Sequence, residues 1–292
     1  MNRWVAGARP KTLPAAVVPV MVGTAAVLGA DEVGATVVWW RALAAMVVAL
    51  AIQVATNYVN DYADAERGAD TAERIGPTRL VASGLATPAQ VKRAALASAL
   101  VAALAGLALA VAVGPELVVV GVVSLAAGFF YTAGPRPYGY AGLGEVFVFV
   151  FFGVVATVGS AYVHLDRVDP LAFAASVPVG MLATALLVVN NLRDIPTDAA
   201  AGKRTLAVRL GAPPTRAVYV ALVAGAFVML PVLALSRPWV LLAALAAPLA
   251  LRPLRAVASE AVGARLLPAL AETGRLQLGY GFLLAAGLAV SP

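Results

Sequence analysis

A chain of 292 residues that is 62% hydrophobic and only 12% charged, with a mean hydropathy of +0.89, lies outside the range of soluble globular domains and reads as an integral membrane protein. The absence of Cys excludes disulfides, thiolate nucleophiles and thiolate metal sites, so a metal would be held by oxygen or by the single His164. The net charge of +6 does not point to nucleic acid, because the basic residues fall in short stretches between apolar runs, where they set orientation in a bilayer.

No cleavable signal peptide is expected, since the first apolar run follows Arg3, Arg9 and Lys11 and no cleavage site stands before the next run. Nine apolar segments of about the length a bilayer requires, roughly 20 residues with some shorter, follow in order. They run from Leu13 to Ala30, Val37 to Val59, Arg93 to Val113, Glu116 to Ala133, Leu143 to Val163, Leu171 to Leu192, Ala217 to Leu235, Pro238 to Leu251 and Leu276 to Val290. The expected architecture is all-α, a polytopic membrane bundle of nine transmembrane helices forming one domain over residues 1–292. Small residues, as in Ala94 to Ala112, let such helices approach closely. Alternating the loops puts all but Arg41, Arg167 and Arg237 of the 21 Lys and Arg on one side. By the positive-inside rule the N-terminus and the long loops are then cytoplasmic and the C-terminus outside, with His164, Asp166 and Asp169 in a solvated external loop.

Two polar clusters close apolar runs on that cytoplasmic side. One is Asn57-Tyr58-Val59-Asn60-Asp61-Tyr62-Ala63-Asp64, the other Asn190-Asn191-Leu192-Arg193-Asp194-Ile195-Pro196-Thr197-Asp198. Carboxylates are costly at a membrane edge, and each cluster has an Asn four residues before its first Asp, which suggests a shared divalent metal. At 3.6 residues per turn, Asn57, Asp61 and Asp64 share one helix face and Asn190, Asp194 and Asp198 nearly do. Mg²⁺ takes hard oxygen ligands, a few carboxylates together with waters and phosphate oxygens, so two facing clusters suit a diphosphate held between them. Solvated loop starts are the plain alternative.

Arg67, Arg74 and Arg79 follow the first cluster, and Lys203 and Arg204 the second. Each can neutralise phosphate charge, and each can equally serve as a topogenic anchor. Gly76 and Gly202 would let the two loops, Ile75-Gly76-Pro77 and Ala201-Gly202-Lys203, turn back over a bound headgroup.

Asn57-x-x-x-Asp61-x-x-Asp64 and Asp194-x-x-x-Asp198 on the second and sixth helices resemble the two Asp-rich motifs of the UbiA-type intramembrane prenyltransferases. Further stretches are similar to the members that prenylate 1,4-dihydroxy-2-naphthoate in menaquinone biosynthesis. These are Arg9 to Pro14, Ile75 to Pro77 with Ser83-Gly84, Pro137 to Glu145, and Asn190 to Asp194 running on to Gly202 to Gly211. The resemblance covers residues 9 to about 211. Asp70 departs from it, following Asp64 by six residues rather than the four of hydroxybenzoate-type enzymes, and Pro196 is expected to bend or end the helix inside the second motif.

The resemblance implies two Mg²⁺ ions bridging the diphosphate of a polyprenyl diphosphate through Asn57, Asp61, Asp64, Asn190, Asp194 and Asp198. Arg67, Arg79, Lys203 and Arg204 would bind the diphosphate. The naphthoate ring would then attack the allylic carbon with loss of carbon dioxide. Lys11 is a candidate for the acceptor carboxylate, with a topogenic role as its alternative. Tyr131, Tyr138, Tyr140 and Gln53 are candidates for the acceptor site, and Glu145, an intramembrane carboxylate, for proton handling. Another acceptor within the same family is the first alternative. An ion-coupled transporter is the second, disfavoured because both clusters sit at one membrane face rather than in inverted orientations.

Overall fold

Prolines and short polar side chains write the helix starts. In the computed structural model, which describes residues 2–28, 36–70, 76 and 78–291, the Asn2 side chain accepts from the Trp4 amide to begin α1, Arg3–Ala8. That helix stops at Arg9, whose φ of 53° lies in the left-handed region. Pro14 opens α2, Pro14–Leu28, and α3 is Trp39–Glu66. Thr87 and Gln90 form a reciprocal capping box, with Pro88 in the first turn, at the head of α4, Pro88–Ala112. After α5, Glu116–Phe130, comes α6, Gly144–Leu165, which carries a π-helical stretch at Phe149–Val155. Asp169 accepts from the Ala172 amide at 2.7 Å to start α7, Pro170–Ala200. The short α8, Leu206–Leu210, precedes α9, Ala212–Ala234, then α10, Pro238–Ala258, and α11, Leu267–Val290. No strand occurs among the described residues.

The fold is therefore an all-helical membrane bundle. α3, α4, α6, α7, α9 and α10 are long and apolar enough to cross a bilayer, and the segment Arg3–Thr12 with α2, bent by 54°, makes a seventh span if counted as one. Each of the nine expected segments holds a helix, which starts or stops one to three residues inside several of the expected bounds, as α5 does at Phe130; residues 29 and 30 lie outside the described residues. α5, at 15 residues, and α11 fall outside that measure, so length and composition alone establish six or seven of the spans.

α3 packs against α4, α7 against α9, and α2 against both α3 and α11, so the first and last long helices are neighbours and the bundle closes on itself. Glycines set the closest approaches. A Cβ at Gly153 on α6 would lie 2.5 Å from the Gly180 Cα on α7, a contact that no larger residue allows.

Three features differ from the sequence expectation. α3 continues past Val59 to Glu66 and α7 past Leu192 to Ala200, so both helices outrun their expected apolar segments and carry the Asp clusters in their last turns, on the helical faces that the spacing predicts. Pro196 does not end α7. Proline removes a single donor, while Thr197 Oγ1 donates to the Asp194 carbonyl at 3.0 Å and the Lys203 amide to the Asp198 carbonyl at 2.8 Å, which support the last turn. His164 is not a solvated loop residue: it lies in the last turn of α6, half-buried, and its Nδ1 accepts from the Val38 amide at 3.2 Å.

The chain's lack of Cys makes its sidedness measurable. Single Cys residues at Ser83, Ala201 and Ser259 should label with a membrane-impermeant maleimide from one face only, and one at Ser236 from the other. Labelling of positions 83 and 201 from opposite faces would refute this arrangement.

Candidate active site at the mouth of an apolar cavity

A cavity follows the length of three helices. Ala45 through Asp64 line it on α3, Leu117 through Gly128 on α5, and Phe147 through Val163 on α6, with α7 supplying Leu186, Asn190, Asn191, Asp194 and Asp198. From Ala45 to Asp64 is about 28 Å of helix axis at 1.5 Å per residue. One end is polar and the remainder mostly apolar, because α3 and α7 gather their Asn and Asp side chains into their last turns.

At the polar end the two clusters meet through cations. Lys203 Nζ lies 3.5 Å from Asp64 Oδ2 and 4.0 Å from Asp198 Oδ1, so a single ammonium spans the ends of α3 and α7. Arg79 Nη2 lies 3.3 Å from Asp64 Oδ2 while its Nε lies 2.8 Å from Asp70 Oδ2. Tyr140 donates to Asp64 Oδ1 at 2.9 Å. Burial first, and then the charge of Asp64, hold the Tyr140 hydroxyl above the ordinary phenol value, so it remains a donor. On α7, Arg193 grips Asp194 with Nε at 2.7 Å and Nη2 at 2.6 Å, and the same Nη2 reaches Asn190 Oδ1 at 2.9 Å. Gly76, at φ 156°, stands against this guanidinium, since a Cβ there would lie 3.1 Å from Arg193 Nη2.

The expected residues divide between cavity and scaffold. Asn57, Asp64, Asn190, Asp194, Asp198, Arg79, Lys203, Gln53, Tyr131 and Tyr138 line the cavity. Asp61 does not. Its carboxylate is fully buried and accepts the Leu80 amide at 2.7 Å and the Val81 amide at 3.0 Å, anchoring the turn that delivers Arg79. On a helix Asp61 is displaced about 40° one way from Asn57 and Asp64 about 20° the other, enough to point them at different neighbours. Glu145 also stands behind the wall, accepting from Asn191 Nδ2 at 2.9 Å.

Lys11, Arg67 and Arg204 are exposed and outside the cavity. Arg67 donates to the Thr132 and Gly134 carbonyls instead, and Arg74, Ile75 and Pro77 lie outside the described residues. Where the sequence suggested Lys11, the structure places Arg9, which lines the cavity and donates to the Asn57 carbonyl at 3.4 Å. Arg193 was also overlooked, although a guanidinium inside an apolar run, three residues from Asn190, is a signal in its own right.

Among the described residues no three carboxylates or imidazoles converge as a ready-made metal cage, because cations stand between the carboxylates. The donor set nevertheless fits a hard cation. It is all oxygen, it is buried, and Lys203 already holds a positive charge between Asp64 and Asp198. Arg79 Nη1 is buried with no hydrogen-bond partner among the described residues, which suits an anion arriving in the cavity.

A bundle with such a mouth above a long apolar cavity defines a membrane-embedded site for an amphiphile with an anionic head. The chain belongs to the UbiA prenyltransferase family, which it matches over residues 16–264. It is 49% identical to the 1,4-dihydroxy-2-naphthoate octaprenyltransferase of Mycobacterium tuberculosis (strain ATCC 25618 / H37Rv) over 98% of this chain and 97% of that protein. It is 36% identical to the Escherichia coli (strain K12) protein of the same description, covering 99% of this chain and 95% of that one. The solved structure of a UbiA homolog from Archaeoglobus fulgidus bound to GPP and Mg²⁺ shares the fold, with a TM-score of 0.68 at 14% identity over 98% of this chain and 100% of that one.

The division between Asp61 and Asp64 can be measured. Asp61→Ala removes two charge-assisted acceptors, so the Leu80 and Val81 amides should lose hydrogen-exchange protection worth about 1.5–3 kcal/mol. Asp64→Ala should leave both amides protected.

Proposed function

We propose that the protein transfers a polyprenyl group from polyprenyl diphosphate to 1,4-dihydroxy-2-naphthoate, with loss of pyrophosphate and carbon dioxide, giving demethylmenaquinol. The observation that carries this reading is the junction of an oxygen- and cation-lined mouth with an apolar cavity about 28 Å long, in a chain nearly half identical to a protein named for that reaction.

Asn57, Asp64, Asn190, Asp194 and Asp198 would hold Mg²⁺, two ions in this reading, with Asp61 keeping the Arg79 turn in place. Bound there, the metal supplies positive charge against the diphosphate as its bond to the allylic carbon breaks. Arg79 and Lys203 neutralise the same oxygens, and the buried Arg79 Nη1 gains the acceptor it lacks. Tyr131 and Tyr138 line the cavity with ring centroids 5.5 Å apart, where aromatic rings can stabilise an allylic cation. The apolar wall excludes water, so the naphthoate ring rather than solvent captures that carbon. A carbon–carbon bond forms to the ring, and the carboxyl group leaves as carbon dioxide with its electron pair returned to the ring, restoring aromaticity. Glu145 fixes Asn191, which faces the cavity and can orient an acceptor hydroxyl. We place the mouth on the cytoplasmic face of a nine-span bundle, with the C-terminus outside, following the distribution of Lys and Arg.

Purified protein in lipid, given Mg²⁺, a polyprenyl diphosphate and 1,4-dihydroxy-2-naphthoate, should release carbon dioxide in proportion to prenylated quinol. A product retaining the carboxylate would favour a hydroxybenzoate-like acceptor instead. Asp64→Asn, Asp194→Asn and Asp198→Asn keep side-chain size and remove charge, so each should abolish turnover.

Arg9 rather than Lys11 is the proposed partner of the acceptor carboxylate, because Arg9 reaches the cavity and Lys11 does not. Losing one partner of a buried charge pair costs on the order of 2–5 kcal/mol, so Arg9→Ala should raise the acceptor KM roughly 30-fold or more with the donor KM nearly unchanged. Lys11→Ala should leave both constants alone; the reverse pattern would return the role to Lys11.

A further inference from the structure

Arg67, expected at the diphosphate, instead borders a second cleft on the outer surface of the bundle. Tyr62, Phe129 and Ala133 form its floor, and Glu66, Arg67 and Lys92 its rim. The cleft encloses about 440 Å³, within the range of small-molecule sites, and shares no lining residue with the apolar cavity. α3 ends here at Glu66 and α5 at Phe130, and α4 has just begun at Pro88, so three apolar helices meet water at this level.

The rim suits an anion. Two cations stand against one carboxylate, with Lys92 Nζ 2.5 Å from Glu66 Oε1 and 4.9 Å from the centre of the Tyr62 ring. Both partners of that pair are about half exposed, so it is a weak bond that a better acceptor can open. Arg67 is the firmer cation. Its guanidinium donates to the Thr132 carbonyl at 2.9 Å and to the Gly134 carbonyl, and lies 5.4 Å from the centre of the Tyr140 ring. These contacts fix its plane in advance of any ligand while further N–H donors remain.

The surface below the rim suits a hydrocarbon chain. On α4, Leu96 and Leu100 follow Lys92 at four-residue steps along one helix face and are 71% and 57% exposed, and Phe129 beside them in the cleft is 41% exposed. A free anion makes no use of such a stripe, whereas a phospholipid uses rim and stripe together.

We propose that this cleft binds the headgroup of an anionic phospholipid, its phosphate between Arg67 and Lys92 and an acyl chain along Leu96 and Leu100. The site is separate from the mouth of the cavity and does not depend on the proposed reaction. Glu66 competes with the phosphate for Lys92, so removing its charge strengthens the site.

Native mass spectrometry of the whole protein, titrated in neutral detergent with phosphatidylglycerol or phosphatidylcholine, tests this. The parent should bind phosphatidylglycerol the more tightly. One Lys or Arg beside an anionic headgroup is worth about a fivefold change in affinity, so Lys92→Gln should weaken phosphatidylglycerol by about that factor. Glu66→Gln should tighten it by a similar factor, a gain that a purely structural ion pair would not give. Arg255→Gln, which removes an exposed cation on α10 outside the cleft, should leave the affinity unchanged. Inorganic phosphate at matched concentration should not displace the lipid. Equal affinity of the parent for the two lipids, or no change in both Lys92→Gln and Glu66→Gln, would overturn the site. An equal loss in Arg255→Gln and Lys92→Gln would overturn it in favour of general surface charge, and displacement by inorganic phosphate in favour of a free anion.

Discussion

The ammonium of Lys203, shared by Asp64 and Asp198, ties the ends of α3 and α7 across the mouth of the cavity. Both carboxylates are buried, and neither would tolerate that environment without a nearby positive charge. The pairing therefore constrains more than two side chains. It holds together two long helices that diverge below into an apolar space, and it sets the distance at which anything bound between the clusters must fit. Arg79 does the same for the loop after α3, joining Asp64 to Asp70, while Asp61 fixes the turn on which Arg79 rides.

Much of this was legible in the sequence. Hydropathy marked the apolar helices, and an Asn four residues before an Asp at two helix ends marked the mouth. Helical periodicity could not separate Asp61 from Asp64, because a rotation of some tens of degrees decides whether a carboxylate faces the cavity or a neighbouring loop, and that depends on the loop's own path. Which of Arg9 and Lys11 reaches the cavity was hidden for a related reason. The left-handed turn at Arg9 sends residues two apart in opposite directions, and nothing in the sequence announces that φ. Pro196 misled because a proline in a last turn removes one donor that a threonine hydroxyl can partly offset.

The cavity itself was not legible, since it arises from what the helices fail to touch. α5 is short and leans on α3 and α4, and Gly121 and Gly159 leave space where other glycines of the bundle close it. In sequence all these glycines look alike, as small residues that permit close packing. Only the positions of the opposing backbones distinguish a contact such as Gly153 against Gly180 from a gap such as Gly121 facing the cavity.

Charge balance at the mouth favours the joint binding of a diphosphate and a divalent metal that the proposed function requires. Asp64, Asp70, Asp194 and Asp198 are buried around Arg79, Arg193 and Lys203, with Arg9 at the edge. This set carries no excess of positive charge, so a bare diphosphate would enter against carboxylates that its own charge repels, in a surrounding where screening by water is weak. A divalent metal alone would have to compete with the ammonium and guanidinium groups already beside those carboxylates. Arriving together, metal and diphosphate would keep the mouth close to neutral, with the carboxylates of Asp64, Asp194 and Asp198 available to the metal and Arg79 and Lys203 to the phosphate oxygens. In the proposed function the same side chains would hold the bundle together before substrate binds and supply the counter-charge after it does, a double use that fits so many ionised groups at the edge of a membrane.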